Sequence, residues 1–368
     1  MSRAKFQIYR SRRSSLAETA RDIMGQDPQL SKPLKKMTDD QVVSHMMCSS
    51  PQQVFGLDGL IISEELLWER RGRTVIFPQS AEFLDRLLAA KFDLNKIDGF
   101  QLPFDSFMLA MPLGYEREGV KLKGILVNAY AVSDTPALFR EYAKNIRENL
   151  NPKLFPRLGI NKIEYEHHLS FADNMDVTEY GVSSPDEKML SICTMDQSQN
   201  IQMGSTIRAA QNFNMIPEML SAKSVDEFED RLGEMKMANY KVRGVSREDA
   251  ISEFYAFKLV CALTVYNMAT NGDMLKSGMP GEKAPHIEGR FDRKVVKPFH
   301  IQSTADMMSE SKTPGMHYRQ WHFRQLRDKR YYQGEHSKRV PGSRWVFVRD
   351  TMVGVGDTDP YTVDDAEQ

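Results

Sequence analysis

The sequence predicts an α+β protein: a mixed helical and antiparallel-sheet body followed by a basic C-terminal module. Three observations carry this expectation. Within residues 247–270 the pattern is apolar around most of a helical circumference from Phe254 onward, as a central buried helix must be. Two apolar runs, Phe104–Met111 and Val120–Val132, flank the charged turn LGYEREG, which contains Gly114 and Gly119, and read as a β-hairpin. Finally, the basic charge is segregated. Between Lys312 and Arg349 ten cations face only Asp328 and Glu335, a formal +8, whereas the 368-residue chain as a whole carries −1.

Taken in order, residues 1–70 read as a helical N-terminal region. Ser15 with Glu18 fits a capping box, and Thr38-Asp-Asp-Gln opens a second helix with Val42, Val43 and Met46 on one face. Its basic residues Arg3, Lys5, Arg10, Arg12 and Arg13 suit either an arm that touches nucleic acid or a frayed polar terminus. Residues 71–272 form the body. Within it, Thr74–Phe77 is β-like, and Ser80 caps a helix whose Phe83, Leu84, Leu87, Leu88 and Phe92 have helical spacing. Residues 162–171 read as a strand, with Glu164, Glu166 and His168 on one face. Residues 136–151 and 224–237 read as exposed helices. Ser246 caps the long helix, Asp249 lies in its first turn and Gly272 just past its end. Residues 273–311, rich in Gly and Pro, read as a linker or draped loop, 312–349 as the basic module and 350–368 as an acidic tail.

Composition excludes several classes. No uncharged apolar run approaches the roughly 18 residues of a membrane span, and the basic N-terminus lacks the apolar region of a secretory signal. Cys48, Cys193 and Cys261 are odd in number and widely spaced, as expected of buried thiols in a reducing cytoplasm. Walker-type, GxSxG and HExxH patterns are absent. No cofactor and no metal site is assigned. Glu164, Glu166 and His168 suit a solvated strand face better than a cation, and the spacing of His317, His322 and His336 does not suit zinc. The 22 methionines suit gap-filling or an adaptable peptide groove.

The densest chemistry lies in the basic module. Tyr318, Trp321, Phe323, Tyr331, Tyr332, Trp345 and Phe347 are threaded among its cations. Cations that neutralise phosphates beside rings that stack bases suit single-stranded nucleic acid. The contact set comprises Arg319, Trp321, His322, Phe323, Arg324, Arg327, Lys329, Arg330, Lys338, Arg339, Arg344 and Arg349. Ser343–Arg349 alternates as a strand, with Trp345, Phe347 and Arg349 on one face. His317 and His322 are candidate catalytic residues: one imidazole would take a 2′-hydroxyl proton while the other protonates the leaving oxygen.

The segment His317-x-Arg319-x-x-His322-Phe323 follows Lys312 and Pro314 and precedes a Gly-containing basic turn and Trp345-Val-x-Val-Arg349. It resembles the C-terminal motif of a phage and mobile-element family, the anti-CRISPR proteins that suppress production of the type V CRISPR nuclease. Trp321 and Phe323 stand where that family usually has glycine and tryptophan. Upstream, Asp105–Pro112 with the following β run resembles its central hairpin, and Phe254–Ala269 its buried, cysteine-containing helix.

The resemblance implies a protein that recognises a target's N-terminal peptide as it leaves the ribosome, with loss of that target's mRNA. Its partners would be RNA or the ribosome and a defence polypeptide, such as a type V CRISPR nuclease, in the cytoplasm of a bacterial host, with no membrane involved. The module would face RNA, and the edge of the central hairpin would offer a strand to the peptide. Two alternatives stand beside this expectation: a non-enzymatic nucleic-acid-binding protein of the phage cycle, and a metal-independent ribonuclease.

Overall fold

Alternating apolar residues along short β-rich segments build a sheet that is buried on both sides. A computed structural model describes residues 5–49, 57–90, 100–174, 188–195, 206–213, 216–234, 246–270, 272, 274–281, 284–288, 294–301, 317–319, 322–339, 341–342, 344–348 and 351–353. The expected α+β class holds, and the sheets are mixed rather than purely antiparallel.

A short strand β1 (Lys5–Gln7) is followed by helices α1 (Arg12–Met24), α2 (Pro28–Lys36), α3 (Asp39–Ser49) and α4 (Leu57–Arg70). Strand β2 (Thr74–Phe77), helix α5 (Ala81–Ala89) and strand β3 (Ser106–Leu109) follow. Next come β4 (Met111–Pro112), the small hairpin β5 (Glu116–Arg117) and β6 (Val120–Lys121), and the long strand β7 (Ile125–Ala131). Helices α6 (Thr135–Asn149), α7 (Phe155–Leu158) and α8 (Lys162–Asp173) lead to strands β8 (Lys188–Met195) and β9 (Thr206–Asn212). Helices α9 (Ile216–Leu220), α10 (Val225–Glu234) and α11 (Arg247–Ala269) complete the helical part. Strands β10 (Leu275–Ser277), β11 (His286–Glu288) and β12 (Lys297–Ile301) return to the body. The module supplies β13 (His317–Arg319), β14 (His322–Leu326) and β15 (Arg344–Val348), and the start of the stretch expected as an acidic tail forms β16 (Thr351–Val353) instead.

The main sheet runs in the order β10-β12-β2-β3-β7-β8-β9. Strand β2 lies parallel to both β12 and β3, and the remaining neighbours are antiparallel. Period-2 alternation sends Ile76, Phe107, Leu109, Val127, Leu190 and Ile192 to one face, where they join Phe254, Phe257 and Cys261 of α11 and Phe83 and Leu87 of α5. Val75, Phe77, Met108, Leu126 and Cys193 point to the other face, against Phe6, Tyr9, Ile61 and Trp68. Helices α1, α2, α3, α4, α6 and α8 bury a second cluster around Met47, Cys48, Tyr142 and Ile146. All three cysteines are buried, and none forms a disulfide.

Several local expectations hold. Helix α11 is buried along most of its length, and Ser246 Oγ accepts from Asp249 N at its start. Ser80 Oγ accepts from Phe83 N. Thr38 and Gln41 form a reciprocal capping box, Thr38 N donating to Gln41 Oε1 and Gln41 N to Thr38 Oγ1.

Others are corrected. Helix α1 starts earlier than expected: Ser11 caps it, so Ser15 lies inside the helix and Glu18 pairs with Arg10. Residues 162–171 are helical, not extended, because Asn161 Oδ1 caps the segment by accepting from Ile163 N and Glu164 N. Helix α6 is amphipathic and buries Phe139, Tyr142, Ala143 and Ile146 rather than lying exposed. The stretch 273–311 is not a plain linker. Its β12 and β10 extend the main sheet, and its β11 pairs with β1 in a second sheet completed by β4. Apolar Phe299 and Ile301 let this Gly- and Pro-rich stretch join the core.

The N-terminal region is likewise no separate arm. Arg12 and Arg13 are folded inward around Glu65, a carboxylate 1% exposed, whereas Lys5 and Arg10 are exposed and Arg3 lies outside the described residues. Glu65 accepts from Tyr9 Oη at 2.8 Å, Ser11 Oγ at 2.6 Å, Arg12 N at 2.5 Å and Arg13 Nε at 3.2 Å. Arg13 also meets Asp40 and Glu69, and Arg12 meets Asp58. Burial works against the Arg13 cation, yet Glu65 and Asp40 hold its pKa above the ordinary arginine value. Gly124 lets the chain pass here, since a Cβ at that position would collide with the backbone of Ile8 and Tyr9.

Removing one partner from a buried ionic knot leaves the others desolvated and unmatched. Glu65→Ala is therefore expected to lower unfolding free energy by roughly 3–5 kcal/mol, and Glu65→Gln by less, read from urea denaturation midpoints.

Alkaline pH should destabilise the fold. Burial, with Glu166 nearby, drives the Cys48 thiol from 9.0 up to about 12. Burial also pushes Tyr142 well above its ordinary 10.0, and raises Tyr255, which also donates to Glu118, to about 12. These groups hold their protons more tightly folded than unfolded, so their contribution is complete below pH 9.0 and is lost as pH rises toward about 12. Urea midpoints should fall steadily above that lower value, and Tyr142→Phe should flatten the upper part of the decline.

Candidate nucleic-acid interface

The basic module is built on two ladders. In one, β14 and β15 run antiparallel, pairing His322 with Val348, Phe323 with Phe347, Arg324 with Val346, Gln325 with Trp345 and Leu326 with Arg344. In the other, β13 pairs with β16, placing His317 opposite Val353 and Arg319 opposite Thr351. The two candidate catalytic histidines thus stand in different ladders. Trp321 and Arg349, like Lys312 and Pro314, lie outside the described residues, as does the acidic tail 354–368.

The connection from β14 to β15 is a wired loop with two short 3₁₀ turns, Lys329–Tyr331 and Gly334–His336. Asp328 Oδ1 caps the first by accepting from Arg330 N at 3.0 Å. Tyr332 is the hub. Its buried hydroxyl donates to Leu326 O at 2.6 Å and accepts from Gly342 N at 2.7 Å and Arg344 N at 3.0 Å. Gln325 Nε2 donates to Gly342 O at 2.8 Å, and Gly342 takes the positive φ of 92° that the turn into β15 requires. Arg344 donates through Nη1 to Tyr331 O at 2.7 Å, which makes it a strut of the loop.

Around this frame the cations point outward. Arg324, Arg327, Lys329, Arg330, Lys338 and Arg339 are exposed. Arg324, Lys329 and Lys338 meet no carboxylate among the described residues. Arg330 reaches only the equally exposed Asp328, at 3.8 Å, and its guanidinium lies 4.8 Å from the centre of the Tyr331 ring. Its bond to Tyr331 Oη raises its pKa above the ordinary arginine value. Elsewhere the contrast is clear: Arg10, Arg12, Arg13, Arg21, Arg73, Arg86, Arg117, Arg147, Arg231 and Arg247 each meet a carboxylate.

Of the predicted contact set, the structure gathers Arg324, Arg327, Lys329, Arg330, Lys338 and Arg339 on the β14–β15 unit, and it turns Arg344 inward. Arg319, His322 and Phe323 are placed as strand residues of β13 and β14. Trp345 is half-buried, with its indole nitrogen enclosed and unbonded among the described residues, and β15 lies beside α11.

Sequence reasoning missed the role of Tyr332. A tyrosine ten residues before the Gly342 turn is the pattern that could have revealed it, since a buried phenol can bridge both ends of a loop.

The pattern at Glu164, Glu166 and His168 is also resolved. On a helix, Glu164 and His168 share one side while Glu166 points away and accepts from Tyr165 Oη at 2.7 Å. Among the described residues, no group of three or more acidic, His or Cys side chains is arranged to hold a metal ion. None of the described helices is long and apolar enough to cross a membrane. No protein-family model and no curated protein matches the chain.

Deleting the Tyr332 hydroxyl should loosen the loop without changing its charge. In Tyr332→Phe, amide exchange at Gly342 and Arg344 should accelerate well beyond that in α11, as hydrogen-exchange mass spectrometry would show.

Proposed function

We propose that this protein acts against host defence by recognising a nascent polypeptide and causing loss of its mRNA, with the β14–β15 unit facing RNA. The observation that carries the RNA half is the cluster of exposed, carboxylate-poor cations on a pinned loop, in a chain whose other arginines so often meet acidic partners. Such cations are free to displace counterions from phosphate.

The resemblance of the His317–Phe323 segment to the type V anti-CRISPR family supports the nascent-chain half. Among the described strands an edge is left for a peptide, though not the one expected. Both strands of the central hairpin are interior, β3 paired to β2 and β7 to β8, whereas β9 is an edge of the main sheet. An extended peptide adding to β9 is the arrangement that fits.

The reading is tested in cells expressing a type V nuclease. Transcript levels should fall when the protein is present. They should recover when the first codons are changed to encode a different peptide, and stay low when the codons are changed synonymously. Loss that follows nucleotide rather than peptide sequence would instead favour a plain RNA-binding protein. Loss abolished by His317→Ala/His322→Ala with RNA binding intact would favour intrinsic ribonuclease chemistry.

In vitro, binding to single-stranded RNA should weaken steeply with salt. Lys329→Ala/Lys338→Ala should reduce the magnitude of the log–log slope by roughly 1.4, about 0.7 per phosphate contact removed.

A further inference from the structure

We infer that the β14–β15 loop takes the phosphate backbone of double-helical RNA and does not read unstacked bases. This inference rests on the RNA reading above and narrows it to a ligand class. Three observations support it, each from a different part of the loop.

First, the described aromatic side chains of the module are already committed. Tyr332 is buried, with its hydroxyl in three hydrogen bonds. Tyr331 is half-buried, and the Arg330 guanidinium lies against its ring, 4.8 Å from the centre, while donating to Tyr331 Oη at 2.7 Å. Trp345 is half-buried with its indole nitrogen enclosed, on a strand beside α11. Stacking a base needs an uncovered ring face: Tyr332 is buried, Tyr331 already carries a guanidinium against its ring, and Trp345 is partly covered.

Second, the loop is held at both ends and across its middle. The β14–β15 ladder, the Tyr332 hub, the Gln325–Gly342 bond and the Arg344–Tyr331 bond fix where the cations can stand. Fixed cations are best matched by fixed phosphates. An A-form duplex holds its phosphates at set spacing, whereas a single strand must lose conformational freedom to present them.

Third, cations outnumber carboxylates among the outward side chains. Between Arg327 and Arg339 only Asp328 and Glu335 oppose them, and Asp328 is occupied in capping the 3₁₀ turn. Phosphate contact positions a protein on a duplex without reading sequence, and cations alone suffice for it.

The test uses the full chain and fluorescence anisotropy with three probes: an RNA duplex of about 16 base pairs, one of its strands chosen to be unstructured, and a DNA duplex of the same sequence. The expected result is that the RNA duplex binds more tightly than the single strand. Lys329→Ala/Lys338→Ala should weaken that binding by about tenfold at moderate salt, and Tyr331→Leu, which removes only the Arg330 brace, should weaken duplex and single strand to the same extent. Equal binding of both duplexes would still support backbone contact but overturn the preference for A-form RNA. A single strand that binds more tightly, with affinity lost in Tyr331→Leu, would overturn this inference and leave the RNA reading standing. Binding of none of the probes would remove both.

Discussion

The fold depends on a pair of adjacent carboxylates in the middle of α4. Glu64 and Glu65 are each 1% exposed, and they point to opposite jobs. Glu65 gathers the N-terminal segment through Tyr9, Ser11, Arg12 and Arg13. Glu64 gathers the sheet: it accepts from Asn128 Nδ2 at 2.7 Å and from Tyr130 Oη at 2.9 Å, and Asn128 Oδ1 in turn accepts from Ser106 Oγ at 2.5 Å. One helical turn thereby ties Tyr9 and the start of helix α1 to β7 and β3. Two buried carboxylates are costly, and they persist only because each is surrounded by donors. The same arrangement joins the described helices before β2 to the main sheet.

On the other side of the sheet the constraint is apolar rather than ionic. Helix α11 has no polar stripe, so it has to be covered nearly all round, and the sheet, α5 and α10 share that task. The two faces divide the work. Geometry is specified by directed bonds on the α4 face, and burial on the α11 face supplies non-directional stabilisation. Strand β2 is the pivot. Val75 and Phe77 serve one face and Ile76 the other, and both of its neighbours run parallel to it.

Elements with a strong local signal were legible in the sequence, and elements defined by distant partners were not. The long helix, the Ser80 and Thr38 caps and the 104–132 hairpin declare themselves by periodicity and capping chemistry. Residues 162–171 do not. Glu-Tyr-Glu-His-His alternates as a strand would, while the helix is set by the Asn161 cap and by Tyr165 and Leu169 packing on the helical cluster. Strands β10, β11 and β12 were hidden for a related reason. Three- to five-residue strands set among Gly and Pro have almost no local signature and exist because a sheet edge is waiting for them. At the candidate interface, the identity of the cations was readable, but their sorting was not. Arg344 and Tyr332 look like ligand-facing residues in sequence and are internal braces in the fold, because both meet backbone groups at opposite ends of the same loop.

That sorting bears on why the charge is segregated at all. In the body, cations and carboxylates occur together and cancel locally: Arg13 meets three carboxylates, and Arg147 meets Asp173 at 2.6 Å. A basic loop needing only solubility could have been balanced in the same way. Instead the module carries its cations on a turn whose acidic residues are few, and spends one of them, Asp328, on holding backbone. Like charges placed side by side repel, so crowding them onto one pinned loop costs stability that the ladder and the Tyr332 hub must offset. A surface that is both self-repelling and internally braced makes physical sense when a polyanion relieves the repulsion. The bracing is then what converts a patch of charge into a shape.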